Sequence, residues 1–299
     1  MSSLRLAIFL GLILLSGALT IVALVRLARR KPLGWVGRAG LTLGLLGVLA
    51  FLWGLFIEAD WLEVTHVTVQ TAKWPKTKKF RIAHFSDLHI DRESRALSRL
   101  TTEVADAKPD LIVFTGDSLN DAGSLKLLRT TLGSMTATSG RVAVRGNHDV
   151  YRWNALDLFG GGVATELVRG PIILDDGKLA ICGAPFNAFD ALPDCLAGAP
   201  KDSFVVLAFH SPDLVEDIDP RPDLYLAGHT HGGQVAIPFY GAMLTMSRFD
   251  KKYEAGRYEV GKTTLYVNRG IGFEPHFLRV RFASRPELTI IEIEGTATE

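Results

Sequence analysis

Cysteine is nearly missing from this 299-residue chain: there are two, Cys182 and Cys195, and they do not form a Cys-x-x-Cys pair. That argues against a zinc site built from thiolates. The pair could bridge in an oxidising compartment, but their separation does not decide it. Two independent small apolar residues are the expected reading. Charge of one sign is also missing, with a formal net charge of only +1. The concentrated basic face of a nucleic-acid binder is therefore not expected, nor is a nucleic-acid partner. Internal repeats and low-complexity stretches are absent too. The length suits one large domain, or two small ones, with a sizeable core.

Apolar residues are plentiful, 47% of the chain, and the excess sits in the first 57 positions. Residues 6–25 form a run of 20 without a charge, and residues 39–57 a second run of 19. As helices rising ~1.5 Å per residue, each can cross a hydrocarbon core of ~30 Å. The first run is longer than a signal-peptide core and no clear cleavage site follows it. Residues 1–63 are therefore expected to form a membrane anchor of two transmembrane helices, with the second domain at 64–299. Gly40, Gly44 and Gly47 on one side of the second helix suit close packing of a hairpin. Trp35, Trp53 and Trp61 fall where indole rings favour the membrane interface.

Arg26, Arg29, Arg30, Lys31 and Arg38 lie between the two runs, Arg5 precedes them, and Glu58, Asp60 and Glu63 follow. The positive-inside rule puts the short loop in the cytoplasm and the large domain outside. Lys73, Lys76, Lys78, Lys79 and Arg81 pull the other way, since basic residues near a membrane exit can hold a domain inside or touch anionic head groups.

Beyond residue 64 the pattern changes to short apolar runs that end in polar or glycine-containing turns. The runs at 80–85, 111–115, 142–144, 204–209 and 224–227 read as buried strands, with later strands at 263–268 and 288–293. Helical stretches at 94–107 and 125–132 lie between some of them. The fold class expected is α/β with packed sheets. The polar clusters follow the strands directly: Asp87 and His89, then Asp117, then Asn147, His148 and Asp149, then His210, then His229 and His231. Ligands of open α/β sheets bind beyond the carboxyl ends of strands, so five strand ends can converge on one site. Five of the eight histidines fall in these clusters. Imidazole with carboxylate suits Zn, Mn or Fe rather than Ca. Asp91, Asn120 and Asp149 are polar neighbours open to either a supporting or a turn-forming role. His66, His84 and His276 read as structural.

The order Asp87-x-His89, Gly116-Asp117, Gly146-Asn147-His148-Asp149, His210, Gly228-His229-Thr230-His231 resembles the calcineurin-like metallophosphoesterase family over residues 80–293. Gly232-Gly233-Gln234 and the segment from Val267 to Gly272 look like its bacterial membrane-associated branch, which is similar to an exported Bacillus phosphoesterase and a chlamydial lipid A pathway pyrophosphatase. The resemblance implies a four-layer αββα sandwich and a centre of two divalent metal ions (Mn, Fe or Zn). Asp87, His89 and His231 would bind the first metal, Asn147, His210 and His229 the second, and Asp117 both. His148 would face the substrate phosphate as the catalytic residue. Two such metals clamp a phosphate and activate hydroxide near neutral pH. The implied activity is hydrolysis of a phosphodiester or phosphomonoester, and the anchor suggests a lipid-linked or envelope substrate that Phe273 and Phe277 could help to hold. A UDP-2,3-diacylglucosamine-type pyrophosphatase is the alternative, and a catalytically silent membrane scaffold is an alternative of another class. The phosphorylated substrate and the membrane are the expected partners.

Overall fold

The computed structural model describes residues 2–274 and 278–296. Two helices, α1 (Ser2–Ala28) and α2 (Trp35–Phe56), come first. They are followed by β1 (Glu63–Thr71), β2 (Lys79–Phe85), α3 (Arg95–Ala107), β3 (Leu111–Phe114), α4 (Leu125–Ser134), β4 (Arg141–Ala143), α5 (Asn147–Arg152) and β5 (Thr165–Glu166). The second half holds β6 (Ile172–Leu174), β7 (Leu179–Gly183), α6 (Leu192–Ala197), β8 (Phe204–Ala208) and β9 (Leu224–Ala227). It closes with β10 (Ala236–Ile237), β11 (Gly241–Ala242), β12 (Gly256–Val260), β13 (Thr263–Val267) and β14 (Glu287–Gly295).

Twelve strands form two six-stranded mixed sheets, in the orders β1-β14-β2-β3-β4-β5 and β12-β13-β9-β8-β7-β6, and β10 and β11 pair as a separate antiparallel ribbon. Apolar side chains of both sheets meet in one core, where Ile82, Leu111 and Val113 pack with Ile181, Val206 and Leu226. The far face of the first sheet is covered by α3 and α4 through Leu97, Leu100, Leu128 and Leu132. The far face of the second packs Leu192 and Leu196 of α6. β2, β3 and β4 run parallel, as do β7, β8, β9 and β13. Burial on both faces explains why central strands such as β3 and β9 read as apolar runs rather than alternating ones.

Among the described residues, one helix, Trp35–Asp60, is long and apolar enough to cross a membrane, with a mean hydropathy of 2.2, and Ile13–Ala28 is a shorter apolar helix. The two pack as a hairpin. A Cβ on Gly40 would meet the Leu19 Cβ at 2.7 Å, and Thr20 donates its hydroxyl to the Gly40 carbonyl. Gly44 faces Thr20 in the same way, whereas among the described residues nothing lies within 4 Å of a Cβ on Gly47.

The end of α2 is fixed to the domain. The Arg281 amide donates to the Gly54 carbonyl. Glu58, almost fully buried, accepts from the Ser284 amide at 2.9 Å and the Trp53 indole at 3.2 Å. Trp53 meets Trp61 edge to face, and the Arg285 guanidinium lies over Trp61. The basic residues between β1 and β2 and on β2 are mostly occupied by carboxylates of the domain. Lys73 pairs with Asp223, Lys78 with Asp175, Lys79 with Glu294 and Arg81 with Glu292.

The expectation of two independent cysteines is corrected. Cys182 at the end of β7 and Cys195 in α6 form a disulfide. The fold brings α6 back across the strand it follows, to a Cα–Cα distance of 5.8 Å. That lies within the usual bridging range, and sequence separation alone does not show it.

Candidate metal centre

Each predicted ligand stands just past a strand. β2 leads to Asp87 and His89, β3 to Asp117, β4 to Asn147 and His148, β8 to His210, and β9 to His229 and His231. The turns are sharp. Asp87, His89, Asp117, His229 and His231 all adopt left-handed backbone conformations, with φ between 41° and 73°. That region is unfavourable for side chains other than glycine and concentrates at functional sites. Backbones also approach closely here. A Cβ on Gly116 would meet the Gly146 nitrogen at 2.3 Å, so both must be glycine for the Asp117 and Asn147 turns to meet.

The side chains converge in a buried cluster. Asp87 Oδ1 lies 3.5 Å from His231 Nε2, 3.9 Å from His210 Nε2 and 4.0 Å from His89 Nε2. Asp117 Oδ2 lies 3.3 Å from His210 Nε2 and 3.6 Å from His89 Nε2. On the other side, His210 Nε2 lies 2.9 Å from Asn147 Oδ1 and 3.1 Å from His229 Nδ1. Three overlapping groups have the spacing to hold a cation: Asp87, His89 and His231; His89, Asp117 and His148; and Asp87, Asp117 and His210.

The pattern of unsatisfied atoms gives the cluster its chemistry. Asp87 Oδ1, Asp117 Oδ2, His89 Nε2 and His231 Nε2 are buried without a hydrogen-bond partner. Orphaned buried polar atoms are costly, and their gathering in overlapping groups within this cluster fits bound cations. The opposite edges of the same side chains are held. Asp87 Oδ2 accepts from the His229 amide, and Asp117 Oδ1 from the His148 amide. His89 Nδ1 meets Asn120 Oδ1, and His210 Nδ1 meets the Thr115 carbonyl. Fixing one ring nitrogen this way aims the other into the site.

Electrostatics agree with a site shaped for positive charge. Burial opposes a charge on His210, yet Asp117 and Asp87 raise its pKa to about 10. His229 is driven down to about 4, by burial and then by its neighbour His210. Burial also depresses His231, helped by His89 and Arg281.

Several supporting residues lie beyond the local sequence pattern. Asp149, open between a supporting role and a cap, serves both. Its carboxylate accepts from the amides of Asp117, Ser118 and Gly146, and it does not touch the His148 ring. Asn120 bridges His89 and the Phe273 carbonyl. Asp91 is away from the cluster, paired with Arg279. Glu274 was not anticipated: its carboxylate lies 3.3 Å from His148 Nε2 and 3.6 Å from His231 Nε2. Arg281, fully buried, backs His231 at 3.4 Å from Nδ1 and donates to the Gly272 carbonyl. Glu274 and Arg281 carry no signal in the sequence beyond their nearness to the glycine loop, whereas Asp149, Asn120 and Asp91 adjoin the ligand motifs. Phe273 is buried under Arg279 and Arg281. His276 and Phe277 lie outside the described residues. His84 packs against Thr115 behind the site, and His66 is exposed on β1.

Comparison with known proteins agrees with this geometry. The calcineurin-like phosphoesterase family matches residues 80–233. The uncharacterized metallophosphoesterase YkuE of Bacillus subtilis is 31% identical, over 81% of this chain and 88% of its own length. The phosphodiesterase YaeI of Escherichia coli is 28% identical, over 80% and 90%. The UDP-2,3-diacylglucosamine pyrophosphatase LpxG of Chlamydia muridarum is 25% identical, over 82% and 93%.

Proposed function

The chain belongs to the calcineurin-like phosphoesterase family and is a metal-dependent phosphoester hydrolase; we propose that it works on a lipid-linked or envelope phosphoester at a membrane surface, with a centre of two divalent ions. In this reading Asp87, His89 and His231 hold one ion, Asn147, His210 and His229 the other, and Asp117 lies between them. The observation that carries it is the convergence of the orphaned atoms Asp87 Oδ1, Asp117 Oδ2, His89 Nε2 and His231 Nε2. Bound divalent ions supply Lewis acidity and lower the pKa of water from ~15.7 toward ~7.

The remaining work falls to side chains. His148 is not needed as a ligand, and its ring stands edge-on to His89 at 4.9 Å. From there it can donate a hydrogen bond or a proton to a phosphate oxygen or the leaving oxygen. Its amide is tied to Asp117 Oδ1, so the donor and the bridging carboxylate are placed by one contact. Glu274 holds the ring from the other side. A carboxylate there repels a dianionic monoester more than a monoanionic diester, which favours diesters.

We read residues 1–63 as the anchor, with both helices spanning, and 64–299 as the hydrolase domain outside the cytoplasm. The Cys182–Cys195 disulfide supports that side, since such bridges persist in oxidising compartments. The pairing of Lys73, Lys78, Lys79 and Arg81 within the domain leaves little basic charge there to hold it inside. Metal-dependent turnover of a chromogenic diester, lost in His148→Ala while metal content is kept, tests the chemistry. A reporter fusion at the C-terminus tests the side.

A further inference from the structure

Where α2 ends, the surface opens into a cavity of about 420 Å³. Its apolar wall is Leu55 and Phe56, the last residues of the membrane helix, and its polar wall is Arg92, Arg95 and Arg279. Arg92 and Arg95 are exposed, and neither has a partner among the described residues. Arg279 is held by Asp91 and stacked on Phe273. Asp60 also lines the cavity, and its Oδ1 is buried without a hydrogen-bond partner. Arg92 and Arg279 line a second, narrow cleft as well, whose other wall includes His89 of the metal centre, Gly272 and Phe273.

Each part favours one chemistry. Guanidinium groups bind phosphate through paired, charge-assisted hydrogen bonds. Unpaired arginines at the foot of a membrane helix sit where anionic head groups lie. The unsatisfied Asp60 oxygen can accept from a hydroxyl beside that phosphate. Leu55 and Phe56 offer the start of an acyl chain a surface continuous with the bilayer.

We propose that this cavity binds the phosphate head group of an anionic amphiphile, with Arg92 and Arg95 as its principal ligands and the shared Arg92–Arg279 wall leading from it toward the metal centre. The proposal rests on the reading of the chain as a membrane-anchored hydrolase and names where its substrate class would be held. The same head group could belong to the substrate or to a neighbouring bilayer lipid.

The test uses the full chain in neutral detergent micelles, treated with EDTA so that no metal site contributes. Dihexanoyl phosphatidylglycerol, dihexanoyl phosphatidylcholine and inorganic phosphate are titrated by calorimetry into the native protein and into the variant Arg92→Ala/Arg95→Ala. Both arginines are exposed and without partners, so the variant is expected to fold, which thermal melting verifies. The expected result is a Kd for phosphatidylglycerol at least about tenfold weaker in the variant, no such difference for phosphatidylcholine, and weaker binding of inorganic phosphate than of phosphatidylglycerol. An unchanged phosphatidylglycerol Kd overturns the proposal, and equally tight inorganic phosphate overturns the amphiphile. In metal-loaded protein, competition between phosphatidylglycerol and bis-p-nitrophenyl phosphate assigns the head group to the substrate, and binding without competition assigns it to a bilayer lipid. Native turnover with no arginine-dependent binding defeats this inference alone. Arginine-dependent binding without any turnover defeats the hydrolase reading alone.

Discussion

Asp149 Oδ2 accepts the amide of Asp117 at 2.8 Å, tying the carboxylate proposed to lie between the two ions to the first turn of α5. The same carboxylate takes the Ser118 amide at 2.8 Å and the Gly146 amide at 3.0 Å. One side chain thus joins the turn after β3 to the turn after β4. Burial and the nearby Asp117 charge push its pKa up to about 6 against the pull of these donors. Asp149→Asn presents an amide group to three N–H donors. Loss of such supporting contacts typically costs about 10–100-fold in activity or metal affinity. We expect that loss in kcat/KM and in metal retention, measured by diester turnover and elemental analysis. Native-like values in both would mean that the turns hold themselves.

Glu58 connects the end of α2 to the domain. Removing its carboxylate leaves the Ser284 amide and the Trp53 indole without their acceptor, and an unsatisfied buried donor costs about 1–3 kcal/mol. Ser284 in turn donates its hydroxyl to the His231 carbonyl. Glu58→Ala should therefore lower the melting temperature in detergent and weaken metal binding, and a fragment starting at residue 64 should share both defects. A fragment as stable and as metal-loaded as the full chain would show that the anchor does not brace the site.

The disulfide closes a short loop, with a sequence separation of 13. Cross-links of that size contribute about 3 kcal/mol in the chain-entropy account. Cys182→Ser/Cys195→Ser should lose stability on that scale in chemical denaturation, and native protein recovered from cells should resist thiol alkylation until reduced. Free thiols in freshly isolated protein would argue against an oxidising location.

Much of the site was legible because its ligands follow buried, largely apolar strands: 80–85 (interrupted by Arg81 and His84), 111–115 and 224–227 each end at a ligand turn. Leu179–Gly183 is a fully buried apolar strand that the sequence reading does not single out, and two others carry mixed patterns. β1 and β12 lie at sheet edges and alternate exposed residues such as His66 and Arg257 with buried or half-buried ones. Glu274, Arg281 and Ser284 were not readable because they reach the centre through tertiary contacts, from a loop with no periodicity of its own. Gly47 shows the converse. Its spacing matches Gly40 and Gly44, yet no described atom lies within 4 Å of a Cβ built there.

His84 gives the fold an acid sensitivity. Burial depresses its pKa to about 3, with Glu287 opposing. Below the unfolded value of ~6.5 the unfolded chain takes up a proton that the native state refuses, so stability present above that pH is lost as pH falls toward 3. The limiting slope is about 1.4 kcal/mol per pH unit. His84→Gln should flatten the dependence between pH 6.5 and 4.5 relative to native protein, whatever it does to stability at neutral pH. Parallel curves would remove His84 as the cause.

The most direct test of the central reading joins metal analysis to hydrolysis of bis-p-nitrophenyl phosphate by the full chain with Mn, alongside His148→Ala. The account predicts about two ions per chain in both proteins, turnover in the native one, and a kcat lower by about 10²–10⁴ in the variant. A metal-loaded native protein without turnover, or a variant as fast as native, would contradict it.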